Sequence, residues 1–164
     1  MGKLELLPQY QVLVLGAGNI LRSDDGVGSM VISLLRDTKK WPESICILEV
    51  GTAMFYYLHE ISCSRCVIII DAVRAGGRPG SVYHFENWED VSSIYERMDS
   101  HGLLPADIIE WSRALTGLPV ELIVFGVEPA NLDFGSQISS PVMLAVPALV
   151  SEVIMEIDRI LEKG

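Results

Sequence analysis

Apolar residues recur along this chain in short continuous runs that alternate with stretches at helical spacing. The continuous runs, rich in β-branched residues, predict strands covered on both faces, at 12–15, 45–50, 66–73 and 120–127. Spacings of three and four residues predict helices with one buried face, at 27–35, 53–62, 105–115 and 141–161. This alternation predicts an α/β fold, a single domain with a mostly parallel twisted sheet and helices on both faces.

The run C-V-I-I-I-D-A-V at 66–73 is the most apolar stretch of the chain and is expected at the centre of the sheet. Asp71 lies at its carboxyl end, where open α/β sheets place their ligands. A lone charge there is costly if it is buried. Asp71 is therefore either a hydrogen-bonded structural carboxylate or part of a site, and position alone favours neither.

The remaining elements are less clearly marked. A weakly alternating stretch at 81–85 predicts an edge strand, and the polar stretch 87–100 has no clear pattern. The spacing of apolar residues in the helix at 105–115 predicts one buried face, consisting of Leu104, Ile108, Trp111 and Leu115.

A glycine-rich loop follows the first strand and carries two adjacent carboxylates. Gly16 and Gly18 permit a tight turn, and a dinucleotide fingerprint would need a third glycine where Leu21 stands. Asp24 and Asp25 would also repel phosphate. One aspartate is predicted to cap the helix at its start, which leaves the other free for chemistry.

Composition narrows the class of protein. The 164 residues fit one domain, and 49% hydrophobic residues exclude disorder. A net charge of −10 argues against nucleic acid or an anionic membrane as partner. No apolar run looks long enough to span a bilayer, the first ten residues lack a signal-peptide core, and three cysteines are an odd count. These features predict a cytoplasmic protein.

Histidine offers a further candidate ligand. His101 lies in a loop before the helix at 105–115, whereas His59 falls within a predicted helix and His84 within the predicted edge strand. The C-x-x-C at 63–66 closes a helix instead of opening one, so it is interpreted as packing and not as redox or zinc chemistry. One aspartate of the 24–25 pair, Asp71 and His101 together would make an open site for a divalent transition metal.

Several of these segments resemble one known family. L-V-L-G-A-G-N-I-L-R-S-D-D-G-V-G at 13–28 resembles the opening motif of the hydrogenase maturation endopeptidases, which trim the C-terminal tail of nickel-iron hydrogenase large subunits. The resemblance extends in order over nearly the whole chain, through E-V-G-T at 49–52, V-I-I-I-D-A-V at 67–73, G-G-R-P-G at 76–80, His101 and G-V-E-P at 126–129.

The resemblance implies a site and a reaction. The family's metal-binding triad falls on Asp25, Asp71 and His101, and it selects Asp25 over Asp24. Gly102 follows the histidine where many members have Gln. Family members recognise nickel already inserted in the precursor and cut after a basic residue. The expected partner is therefore a nickel-iron hydrogenase large-subunit precursor, which would bring the nickel with it. The enzyme itself is expected to be a monomer. In the isolated protein the same site could bind another divalent metal.

Two other functions remain as alternatives. A metal-independent peptidase of similar fold could use Asp25 and Asp71 as an acid pair that shares a proton. A non-catalytic module could instead dock the precursor or a maturation chaperone, but the presence of all three metal-ligating residues argues against this alternative. In the leading hypothesis a metal polarises the scissile carbonyl and lowers the pKa of the attacking water, so no Ser or Cys nucleophile is required.

Overall fold

The computed structural model describes residues 7–97 and 103–163 and contains a five-stranded sheet with the strand order β2-β1-β3-β5-β4. The strands are β1 (Tyr10–Ala17), β2 (Ile45–Gly51), β3 (Ser64–Ala72), β4 (Val82–Phe85) and β5 (Glu121–Val127). All neighbouring pairs are parallel except β4 with β5. The most apolar strand is central and the 81–85 stretch forms the antiparallel edge, as the sequence predicts.

Helices cover both faces of this sheet. They are α1 (Val27–Thr38), α2 (Leu58–Ser62), α3 (Trp88–Arg97), α4 (Pro105–Thr116) and α5 (Ser140–Lys163). Alternate strand residues point to opposite faces, so the sheet separates two cores: one contains α1 and α5, the other α2, α3 and α4. The predicted α/β class, with helices on both faces, is confirmed.

Two helical segments differ from the sequence prediction. Within the polar stretch 87–100, residues Trp88–Arg97 form α3, in which Val91, Ile94 and Tyr95 are buried. In α4 the buried positions are Ala106, Ile108, Ile109 and Ser112, so the prediction that Trp111 and Leu115 face the core is wrong. Trp111 is 44% exposed and Leu115 is 66% exposed. Ala106, Ile108 and Ile109 pack in one apolar cluster with residues of α2, α3 and the sheet, and this orientation leaves Trp111 and Leu115 on the outer face.

Helix α5 also corrects an expectation. By length and composition alone its 24 residues could cross a membrane, contrary to the prediction that no run is long enough. It is nevertheless a core helix, because one stripe of it is buried against the sheet and α1. That stripe consists of Val142, Val146, Leu149, Val153, Ile157 and Ile160.

Candidate active site

A cleft opens beyond the carboxyl ends of the parallel strands. Its volume is about 570 Å³, and its lining includes Asp25, Asp71 and the short 3₁₀ turn Met54–Tyr57. The start of α4 forms another part of its wall through Pro105. This is the position at which open α/β sheets bind ligands, and two of the sequence-predicted site residues meet here.

Glycines allow the backbone to bring these carboxylates together. Gly18 has φ +110°, and a Cβ there would collide with the backbone carbonyl oxygen of Asp25. A Cβ on Gly28 would lie 2.6 Å from the carbonyl oxygen of Ile70, the residue before Asp71. The turn after β1 therefore approaches the backbone of Asp25, and the first turn of α1 approaches the backbone of β3, more closely than a side chain would permit.

Asp25 is held by its own loop. It lies in a 3₁₀ turn, Ser23–Gly26, and is partly exposed. Its Oδ2 accepts a hydrogen bond of 2.6 Å from the backbone N–H of Asn19. This contact fixes the side chain across the loop while the carboxylate remains accessible from the cleft.

Asp71 is almost completely buried, with 6% of its surface exposed. Burial and then the negative charge of Asp25 together raise the pKa of its carboxyl group to about 7. The buried Tyr95 hydroxyl on α3 donates to Asp71 Oδ2 at 3.3 Å, which partly offsets this rise. Among the described residues that line the cleft, none is Lys or Arg. Two carboxylates without a cationic neighbour favour a bound cation or a shared proton.

Asp24 has a different role from its neighbour. It has no exposed surface and accepts hydrogen bonds of 2.6–2.9 Å from the backbone N–H groups of Ala130, Asn131 and Ser139 and from the Ser139 hydroxyl. Burial by itself would raise the pKa of Asp24, but these hydrogen bonds outweigh it and lower the pKa. Neither Asp24 nor Asp25 makes a side-chain cap of α1, so the capping prediction is wrong.

Glu128 is a further buried carboxylate, and it anchors the loop after β3. Glu128, in the G-V-E-P segment, is 7% exposed. Its Oε2 accepts from the backbone N–H groups of Ala75, Gly76 and Gly77 at 2.8–3.3 Å and from the Tyr83 hydroxyl at 2.8 Å. Sequence reasoning did not single out Glu128 or Tyr95 as individual residues. Nothing local in the chain marks them, since their partners lie on other elements.

The predicted third ligand, His101, lies outside the described residues. Leu103, two positions later in the chain, lines the cleft and is 50% exposed. The triad is thus described at Asp25 and Asp71, and its metal-binding role stays a prediction.

The other candidate groups lie away from the cleft. Cys66 is buried, and burial raises the pKa of its thiol to about 12, which makes it an inert core residue. Ligand atoms of His84, Glu86 and Glu156 lie within 4.8 Å of one another. Arg159 already pairs with Glu156, and its Nε donates to Glu156 Oε1 at 2.9 Å. These contacts describe an ion-pair network near the amino end of β5.

Comparison with known proteins agrees with this geometry. The profile of the family described as hydrogenase maturation protease matches residues 30–156. The hydrogenase expression/formation protein HupM of Azotobacter chroococcum is 31% identical over 142 residues, 84% of this chain and 68% of the relative. The hydrogenase 2 maturation protease of Escherichia coli is 30% identical over 124 residues, 75% of this chain and 76% of that protein.

Solved structures share the fold. The hydrogenase maturating endopeptidase HybD from Escherichia coli superposes with a TM-score of 0.78 at 23% identity and covers 91% of this chain and 93% of that one. The hydrogenase 2 maturation peptidase of a Thaumarchaeota archaeon gives a TM-score of 0.69 at 28% identity, over 90% and 98% of the two chains. The chain, with its carboxylate cleft at the end of a parallel sheet, therefore belongs to the hydrogenase maturation protease family.

Proposed function

We propose that this maturation protease uses the cleft with Asp25 and Asp71 to remove the C-terminal extension of a nickel-iron hydrogenase large-subunit precursor after nickel insertion. The observation that carries the proposal is the pair of carboxylates in one cleft without a cationic neighbour among its described lining residues. The burial of Asp71 and the charge of Asp25 both raise its pKa, so a cation placed between them would relieve an unfavourable arrangement.

The donor set suits an ion that another protein carries. Two carboxylates and the predicted His101 are a sparse site without thiolates, so isolated protein should bind divalent metal weakly. Nickel would then arrive bound to the precursor as part of the substrate. A metal in this position polarises the scissile carbonyl and lowers the pKa of water.

The chain's own residues would orient the substrate in this reaction. Asn19 holds the Asp25 carboxylate and Tyr95 holds that of Asp71, so both acids are fixed before the substrate binds. The described lining contains no Ser or Cys. Water is accordingly the proposed nucleophile, and no covalent intermediate with a side chain is expected.

The partner and compartment follow from the same proposal. The precursor is the one partner invoked, the enzyme acts as a monomer, and the cytoplasm is its location. The described chain contains three free cysteines and its net charge is −10, which fits a reducing compartment and disfavours nucleic acid as a partner.

The decisive experiment compares nickel-loaded with nickel-free precursor. Purified protein is incubated with each form of the matched precursor, and release of the tail is followed by mass spectrometry. We expect cleavage only of the loaded precursor, while a free peptide with the tail sequence stays intact. Asp71→Asn is the matched inactive control.

One observation favours a second candidate, a carboxylate peptidase that needs no metal. The pKa of Asp71 is raised to about 7 by burial and by Asp25, as expected for two acids that share a proton. Equal cleavage of the nickel-free precursor in the presence of a chelator would refute the nickel requirement and support this candidate.

A further inference from the structure

Three aromatic side chains beside the cleft are exposed although each could contribute to a core. Phe55 is 46% exposed, Tyr56 83% and Trp111 44%. The ring centroid of Phe55 lies 6.3 Å from that of Tyr56 and 6.3 Å from that of Trp111, both in edge-to-face geometry. Phe55 therefore joins the other two rings into one surface, called here the aromatic wall.

Among the described residues, neither of the two apolar cores includes this surface. Helix α4 faces the core with other residues, and Trp111 lies outside that stripe. Phe55 and Tyr56 belong to the 3₁₀ turn Met54–Tyr57, of which Met54 alone is buried. Single exposed apolar residues are ordinary, but a contiguous apolar surface marks an interaction site.

The aromatic wall is continuous with the candidate active site. Phe55 and Tyr56 line the same cleft as Asp25 and Asp71, and Leu103 and Pro105 extend its apolar side. A polypeptide bound along this cleft can therefore contact the two carboxylates and the wall at the same time. The charged residues in the described lining are both acidic, Asp25 and Asp71. The cleft therefore presents negative charge at these carboxylates and an apolar surface beside them.

We propose that the aromatic wall binds an apolar side chain of the precursor next to the scissile bond and so determines which precursor is cut. This inference rests on the proposed function, from which it takes the precursor as the occupant and the two carboxylates as the place of cleavage. Aromatic rings suit this task because they supply large rigid contact area, and Trp and Tyr are frequent among the residues that dominate binding energy.

The test measures binding separately from cleavage. In an Asp71→Asn background, which should not cut, the affinity for the matched precursor is measured for Tyr56→Ala, Trp111→Ala and the triple variant that also carries Phe55→Ala. We expect the triple variant to bind at least about tenfold more weakly, because anchors of this kind cost more than 1.4 kcal/mol when truncated. Phe134→Ala is the matched control, since Phe134 is 86% exposed and lies outside the cleft lining. Its affinity should stay within about twofold.

Further measurements exclude trivial explanations. Tyr56 is so exposed that Tyr56→Ala should fold normally. This single variant therefore tests the aromatic wall even if Trp111→Ala is unstable. Unchanged affinity in Tyr56→Ala and in a folded triple variant would overturn the proposal. A wild-type dimer that the triple variant converts to monomer, with precursor affinity unchanged, would also overturn it and assign the wall to self-association. Each affinity ratio is taken within one form of the precursor, so it does not depend on whether nickel is required.

Discussion

Asp24 and Asp25 are adjacent and chemically identical, yet the fold places them in opposite environments. Asp24 is fully buried and accepts four hydrogen bonds from the loop that precedes α5. Asp25 is partly exposed, accepts one from the backbone of Asn19 and faces the cleft with Asp71. One carboxylate is satisfied by the protein, and the other is part of a pair that the described lining leaves without a positive charge.

The environment of Asp24 and that of Asp71, which shares the cleft with Asp25, shift the pKa of a carboxyl group in opposite directions. Hydrogen bonds lower the pKa of Asp24 despite its burial, whereas burial and then Asp25 raise the pKa of Asp71. Asp24 therefore stabilises the fold in its ionised form, and ionised Asp71 destabilises it. This difference separates a structural carboxylate from a candidate site residue.

Asp71→Asn should have the largest effect on activity. Loss of the charge is expected to reduce the rate of tail release by at least about 100-fold. This is more than the typical cost of losing a residue that only hydrogen-bonds to a metal ligand. The melting temperature should be unchanged or higher at pH 8, because the buried charge is removed and Asn can still accept from Tyr95. Mass spectrometry of the tail and thermal unfolding measure the two effects.

The same variant tests the pH dependence. An acid whose pKa is raised from about 3.9 in the unfolded chain to about 7 in the fold binds more protons when folded. The free energy of unfolding should therefore fall as the pH rises from about 4 to about 7, and then level off. Denaturant titrations of Asp71→Asn should lack this part of the slope. An unchanged slope would contradict the assigned environment.

Asp24→Ala should have the largest effect on stability. It leaves three backbone N–H groups and the Ser139 hydroxyl without the acceptor they share, and we expect a loss of about 2–4 kcal/mol, or about 5–10 °C in melting temperature. Because the pKa of Asp24 is lowered, its stabilisation is present above about pH 4 and is lost as the pH falls through that lowered pKa. Chemical denaturation at pH 7 and pH 3 should show a smaller difference from wild type in acid.

Tyr95→Phe gives a smaller and more selective effect. The ring packing in the α3 core is kept, and only the hydrogen bond to Asp71 Oδ2 is removed. Tail release should fall about tenfold, as for other residues that orient a ligand, with a stability change within about 1 kcal/mol. Wild-type rates of tail release in Tyr95→Phe would show that Asp71 needs no positioning from α3.

Cys63→Ser should have the smallest effect of the series. Cys63 is partly exposed, and its Sγ lies 4.0 Å from the ring nitrogens of His59, outside the candidate site. Tail release and melting temperature should both match wild type. Loss of processing with folding intact would mean that the C-x-x-C at 63–66 takes part in the chemistry.

The linear pattern of the chain was sufficient for its architecture. Continuous apolar runs predicted the buried parallel strands and the central position of β3, because such strands are covered on both faces. Gly18, with φ +110°, lies in the predicted turn after β1, whereas Gly16 lies inside the strand and not in the turn as predicted. The resemblance of 13–28 predicted the family that the profile match confirms. These features depend on residues that are neighbours along the chain, so the sequence alone is enough to predict them.

Only the tertiary structure decided the roles of individual polar and aromatic residues. Asp24 differs from Asp25 because the segment Ala130–Ser139, more than a hundred residues away in the chain, supplies donors to one and not to the other. Tyr95 reaches Asp71 from a stretch whose polar sequence gave no helical signal. Trp111 faces outward because tertiary packing turns a different stripe of α4, with Ile108 and Ile109, toward the core. Hydrogen-bond partners and packing depend on which distant segments meet, and no periodicity along the chain records that.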